Sequence, residues 1–246
     1  MGKRVNPPHS PRTLALDVGG TGLKASVLNG RGRMIVPRNW VDTPHPCPPQ
    51  VLVRELVGMA KLLPPFDRVS VGFPGYVRGD MVVTAPEFGN GAWRGFDLVR
   101  ALKVRLGKPV RLLNDADMQG LPVIRGKGLE LVVTLGTGVG TALFRDGELM
   151  PHLELAHHPV HKRDDYNGYL GKNALKRVGT KRWNRRVQRM IGILHELFNF
   201  DRLYIGGGNS RHITFKPSAS IELISNQDGV LGGFTLWDRP GRVKAG

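Results

Sequence analysis

A chain of 246 residues, 40% hydrophobic and 23% charged, can bury a proper core as one large domain or two modest lobes. No window approaches the roughly 18 consecutive apolar residues of a membrane span, and a single cysteine, Cys47, excludes an intramolecular disulfide or a multi-cysteine zinc site and fits a reducing compartment. With 36 Lys+Arg against 20 Asp+Glu the formal charge is +16, a field that concentrates polyanions such as nucleic acid, anionic membrane or polyphosphate without choosing among them.

The opening MGKRVNPPHSPR is basic but has no apolar run of the kind a secretory signal carries, so it reads as a short tail on a cytoplasmic protein. Residues 13–37 alternate through two glycine-bearing turns and predict a three-stranded antiparallel meander, followed by a Pro-rich connection at 44–49. Apolar spacing predicts a helix over 51–63 stopped by Pro64-Pro65, then a strand over 68–73. Next come a strand and a Gly-rich loop within 81–93, a helix over 96–106 and a buried strand at 110–113. From Ala116 a helical stretch leads to a second meander, LVVTLGTGVGTALFRDGEL, built to the same pattern as the first. Amphipathic helices follow over 165–178 and 181–198, then strands at 202–205 and 221–224, and a small-residue helix over 229–237.

The first turn places Asp17, Gly19, Gly20, Thr21, Gly22 and Lys24 together. Glycines let successive N–H groups converge on one spot, a concave anion site to which Thr21 adds a hydroxyl and Lys24 a charge. Asp17, at the strand end, is placed to hold Mg²⁺ through water. A plain hairpin with a solvent-facing Asp would look the same in isolation, but Thr134, Gly136, Thr137, Gly138 and Gly140 repeat the device. No G-x-x-x-x-G-K-[ST] loop occurs, and the G-x-G-x-G run at Gly136 leads into a strand, which argues against a dinucleotide-binding turn.

These two turns, with the Asn114-Asp115-Ala116-Asp117 box between them, resemble in order and spacing the phosphate loops and catalytic box of the ROK sugar kinases. Within that family LELAHHPV, KRWNRRV and LYIGGGN followed by SNQDGVLGG are most similar to the polyphosphate glucokinases, and the resemblance runs from about Leu14 to Trp237. It implies an α/β, actin-like (ribonuclease H-like) two-lobed fold with a mixed sheet in each lobe and a cleft between them. Residues 1–113, with a C-terminal helix at about 229–246, would form the lobe of the first phosphate loop, and 114–228 the lobe of the catalytic box and second loop. The activity implied is transfer of a phosphoryl group from inorganic polyphosphate, or also ATP, to the 6-hydroxyl of glucose, with Mg²⁺ at Asp17, no zinc, no membrane partner, and a homodimeric assembly.

A carboxylate that opens a helix just past a strand can face a substrate hydroxyl, orient it and accept its proton late; the resemblance gives that role to Asp115, which can also cap the helix. Asp117 reads as structural. Sugar contact falls by resemblance to Asn114, Glu154 and His157, and donor contact extends to Gly206, Gly207 and Gly208. Two positions depart from the family. Ala156 stands in the Glu-x-Gly-His run where glycine allows close backbone approach, and Glu87 stands where relatives carry Asn, so either Asn90 substitutes from a shifted loop or Glu87 changes the hydroxyl pattern recognised. His152, His157, His158 and His161 cluster in sequence, but zinc in this family rests on a Cys-rich loop absent here, so surface or sugar-contact roles are expected.

On the predicted helix 181–198, Lys181, Arg182, Arg185, Arg186 and Arg189 form a cationic stripe without an intervening carboxylate, opposite a core stripe of Val187, Met190, Ile191, Leu194 and Phe198. A solvated face is the ordinary reading of such a stripe; a polyanion patch is the functional one. The competing functions are an ATP-dependent ROK kinase for mannose, an N-acetylhexosamine or a similar sugar, an inactive relative, and a nucleic-acid-binding regulator. The sequence argues against the last, because the first phosphate loop starts by Leu14 and leaves no room ahead of it for a helix-turn-helix.

Overall fold

The computed structural model describes residues 10–225 and 228–238. The first half of the chain runs β1 (Thr13–Val18), β2 (Gly22–Leu28), β3 (Asn39–Asp42), α1 (Pro49–Lys61), β4 (Arg68–Phe73), β5 (Val77–Arg78), β6 (Met81–Val82), α2 (Asn90–Trp93), β7 (Phe96–Asp97), α3 (Leu98–Leu106), β8 (Val110–Asn114) and α4 (Asp115–Gly120). The second runs β9 (Leu129–Leu135), β10 (Val139–Arg145), β11 (Glu148–Leu149), β12 (Pro159–His161), β13 (Asp164–Asp165), α5 (Tyr166–Leu170), α6 (Lys172–Phe198), β14 (Arg202–Gly206), β15 (Ile221–Leu223) and α7 (Asp228–Asp238).

Two five-stranded sheets carry the fold, ordered β3-β2-β1-β4-β8 and β11-β10-β9-β14-β15. Each has an antiparallel meander on one side of its central strand and two parallel strands on the other. The pattern that recurs in the sequence is therefore a recurrence of topology. The central strands β1 and β9 are buried along nearly their whole length and mostly apolar, as strands covered on both faces are.

Leu52 and Leu56 of α1 and Leu98 and Leu102 of α3 are fully buried with the first sheet, each contributing about 1.5–3 kcal/mol by leaving water. Trp183, Val187, Met190 and Leu194 of α6 do the same with Leu131, Val133 and Leu203 of the second sheet. Met118, Leu121, Phe144, Tyr204 and Leu236 form a third group that joins α4 and α7 to the second sheet. The last helix, α7, is fastened to the first sheet: Ser70 Oγ donates to the Gly233 carbonyl at 2.5 Å, Trp237 Nε1 donates to Ser70 Oγ at 2.8 Å, and Arg111 donates to the Leu236 carbonyl at 2.7 Å with its guanidinium 4.2 Å from the Trp237 ring centre.

Several expected elements differ. The third strand of the first meander comes late: the Asn29 side chain accepts from the N–H groups of Arg31 and Arg33, Met34 makes a single bridge to Leu28, and Pro37, with no N–H to give, delays pairing until β3. Helix α1 starts at Pro49 rather than 51, since proline suits a first turn whose N–H groups are unbonded anyway. Helix α3 starts at Leu98 because Asp97 caps it, accepting from Arg100 N at 2.7 Å, while Phe96 and Asp97 pair with β6. The strand expected within 81–93 spans only Met81–Val82, and α2 replaces part of the loop. The helix expected over 165–178 breaks at Gly171, whereas the boundary expected between 178 and 181 falls in place at Gly179, whose φ of +73° no helix accommodates. Beyond Asp238 the helix expected over 229–246 lies outside the described residues.

Candidate active site

A cleft of about 280 Å³ opens where the two glycine turns, the β8–α4 junction and the turn at 155–157 converge. Among the residues singled out from the sequence, it is lined by Asp17, Gly19, Gly20, Thr21, Gly22, Lys24, Glu87, Asn114, Asp115, Thr134, Gly136, Thr137, Gly138, Gly140, His152, Glu154, Ala156, His157, Gly207 and Gly208. Gly206 is not among them: it is the last residue of β14, pairs with Thr134, and faces Ile224. The side chain of Asn90 lies outside the described residues. The cationic stripe is not in the cleft either, and Arg186 does not belong to it: its guanidinium donates to the Tyr169 carbonyl at 2.9 Å and lies 4.4 Å from the Tyr169 ring centre. Lys181, Arg182, Arg185 and Arg189 remain exposed.

Both glycine turns have carbonyls tied back and two successive amides left open. Thr43 Oγ1 donates to the Gly19 carbonyl at 2.6 Å and His45 Nε2 meets the Gly20 carbonyl at 2.8 Å; across the cleft Asn209 Nδ2 donates to the Gly136 carbonyl at 2.7 Å. The N–H groups of Gly20, Thr21, Thr137 and Gly138 make no hydrogen bond among the described residues, which leaves two sets of donors for an anion. Gly207 flanks the second turn with φ +84°, where a Cβ would run into the Leu135 backbone, so only glycine fits. At the first turn Gly20 lies so close to the Glu87 carboxylate that a Cβ there would need Glu87 to move.

Lys24 stands directly opposite Asp17 in the β1–β2 pair, and its Nζ lies 2.8 Å from Asp17 Oδ2. No group of three or more His, Cys, Asp or Glu side chains among the described residues is arranged to hold a metal ion. Asp115 follows β8 as the first residue of α4, and Asn114 is the cap: its Oδ1 accepts from Ala116 N and Asp117 N, and its Nδ2 donates to the Gly75 carbonyl at 3.1 Å. One amide hydrogen of Asn114 is left for the cleft. Burial pushes the Asp115 carboxyl up to about 7, aided by the like charges of Asp17, Asp117 and Glu154 and opposed by the N–H of Ala116.

On the far wall, Glu154 precedes a 3-10 turn, Leu155–His157, and His157 Nδ1 lies 3.5 Å from Asp165 Oδ2. Ala156 is buried in that turn without a positive φ, so its methyl group strains nothing in the backbone. His152 lines the cleft too, but its side chain is buried between Asp117 and Glu154 rather than displayed at the surface. Trp40, Gln119 and Asn167 line the cleft as well. Asn167 had a local clue in its place at a helix start; its Oδ1 accepts from Val139 N at 2.7 Å and so shapes the second turn.

The sequence model of the ROK family matches residues 13–162. The chain belongs to the ROK family. A polyphosphate glucokinase of Mycobacterium tuberculosis is 28% identical over 225 residues, covering 88% of this chain and 83% of that protein. Among solved structures, an inorganic polyphosphate/ATP-glucomannokinase from Arthrobacter sp. strain KM superposes with a TM-score of 0.82 at 28% identity, over 91% of this chain and 97% of that one. A ROK family glucokinase from Streptomyces griseus, in complex with glucose and AMPPNP, superposes with a TM-score of 0.76 at 21% identity over 92% and 98% of the two chains. The fold is the actin-like, two-lobed fold of the ROK kinases, and the matches support a sugar kinase.

Proposed function

We propose that this ROK protein transfers a terminal phosphoryl group from inorganic polyphosphate, with ATP as a second donor, to the 6-hydroxyl of glucose. The observation that carries the proposal is a carboxyl with proton affinity near neutrality, Asp115, in the same cleft as two opposed sets of unbonded backbone N–H groups. Phosphoryl transfer to an alcohol needs little covalent help; it needs the donor oxygens held and the hydroxyl aimed. In this reading the N–H groups of Gly20, Thr21, Thr137 and Gly138 hold the donor, and Asp115 orients the hydroxyl and accepts its proton. Lys24 balances charge, while Asn114, Glu154 and His157 hold the sugar. Mg²⁺ would bring most of its ligands as phosphate oxygens and water, with the second oxygen of Asp17 as the chain's own contribution, and would supply charge neutralisation on the donor.

Polyphosphate as donor is supported by the likeness to the polyphosphate glucokinase and the polyphosphate/ATP-glucomannokinase, and by the +16 charge. The exposed cations of α6 would then hold phosphates of a chain that extends beyond the cleft. Another acceptor is favoured by one observation, the Glu87 carboxylate against the first phosphate turn, which would meet a different set of hydroxyls than an amide would. Purified protein assayed with glucose, mannose and N-acetylmannosamine, each with polyphosphate and with ATP, tests both readings. Glucose 6-phosphate formed with polyphosphate is expected. Turnover with ATP alone removes the donor assignment, and no turnover of any sugar removes the kinase reading.

A further inference from the structure

We propose that His152 is a positioning residue that locks Glu154 to the catalytic helix α4 and so sets how tightly the acceptor sugar is gripped, an inference that rests on the kinase reading above. The imidazole, with 6% of its side chain exposed, lies between two carboxylates that belong to different elements. Its Nδ1 is 3.3 and 3.2 Å from the two oxygens of Asp117, which is 5% exposed and stands on α4 two residues after Asp115. Its Nε2 is sealed from solvent, has no hydrogen-bond partner among the described residues, and lies 3.6 Å from Glu154 Oε2. The ring stacks on Tyr76 at 5.7 Å between centres and 19° between planes, which fixes the direction of both nitrogens.

An unpartnered nitrogen so deeply buried is costly unless it closes on something, and Glu154 is the acceptor within reach. A movement of about half an ångström would bring the two into a charge-assisted hydrogen bond. Burial pulls the imidazole pKa down, but the hydrogen bond to Asp117 and the negative charges of Asp117 and Glu154 outweigh it and push His152 up to about 10, so both nitrogens carry hydrogen at neutral pH. Because Nε2 is sealed, that nitrogen acts on the sugar through Glu154, while the ring forms part of the cleft wall. The backbone of the segment is held independently, by Thr141 Oγ1 donating to the Leu153 carbonyl at 2.7 Å and by Leu155 N donating to the same oxygen at 3.0 Å. What His152 adds is the aim of one carboxylate.

The test is steady-state kinetics on wild type, His152→Gln, Glu154→Gln and the double variant. The sugar KM of His152→Gln should rise between about tenfold and a hundredfold while the donor KM stays unchanged, since only the sugar side loses its aim. In the Glu154→Gln background the same substitution should add nothing, because its route of action is already gone. If His152→Gln does not fold, the pair Asp117→Asn/His152→Gln, which leaves no buried charge unmatched, makes the same comparison. An equal rise in both KM values, a loss of kcat alone, or additivity with Glu154→Gln overturns the inference and leaves the kinase reading standing. A wild-type protein that turns over no sugar overturns the kinase reading and this inference with it.

Discussion

Replacing Asp115 by asparagine should stabilise the protein at alkaline pH while removing its activity. The rise of the Asp115 carboxyl from its ordinary 3.8 to about 7 is a little over three pH units, or about 4 kcal/mol at ~1.36 kcal/mol per unit. Because the folded state holds this proton more tightly than the unfolded chain, the contribution of Asp115 to stability falls as pH climbs from about 4 to about 7 and is level above. Asparagine does not titrate, and its oxygen can still accept from Ala116 N, a bond of 2.9 Å in the wild type. The variant should therefore be more stable than wild type by about 1–2 kcal/mol at pH 5 and by about 4 kcal/mol at pH 8.5. Urea unfolding followed by tryptophan fluorescence, without donor or Mg²⁺, reads both values. Sugar phosphorylation should fall by a factor of about 10² or more in the same variant. A gap that does not change with pH, or a variant weaker than wild type at pH 8.5, would refute the argument that burial and three neighbouring carboxylates strain this group.

Lys24→Met leaves Asp17 uncompensated near Asp115, so the acidic limb of kcat/KM should move to higher pH and the donor KM should rise by about tenfold; a pH profile at saturating sugar checks both. Gly207→Ala forces a Cβ into the Leu135 backbone at φ +84° and should cost about 2–4 kcal/mol in thermal unfolding; a variant as stable as wild type would contradict the turn geometry. Glu130, fully buried, accepts from the N–H groups of Arg125, Gly126 and Lys127 and from Tyr204, so Glu130→Ala should lose about 3–5 kcal/mol by denaturation. Arg185→Glu/Arg189→Glu should raise the KM for polyphosphate far more than that for ATP, an effect that shrinks with added salt.

The parts of the site that were legible in the sequence are those written within one turn or one strand end. The two glycine turns, with Asp17 and Lys24 beside the first, and Asn114-Asp115 at a strand-to-helix junction each announce themselves over eight residues or fewer, because backbone conformation and capping are local chemistry. The recurrence of the meander likewise exposed the paired sheets. What was hidden depends on distance along the chain. His152 and Asp117 are separated by 35 residues and meet only through packing, and no spacing rule links them. Arg186 looked like one of five free cations until the Tyr169 carbonyl and ring, 17 residues earlier, claimed it. Pro37 shows the reverse case: a local feature, the missing N–H, overrode an alternation that otherwise read as a continuous third strand.

The most direct measurement is a structure of the protein with glucose bound. The 6-hydroxyl oxygen is expected within about 2.6–3.2 Å of an Asp115 carboxylate oxygen, with Glu154 and His157 on the ring hydroxyls and carbon 6 directed at the two glycine turns. Glucose seated with another hydroxyl against Asp115, or bound away from this cleft, would contradict this arrangement.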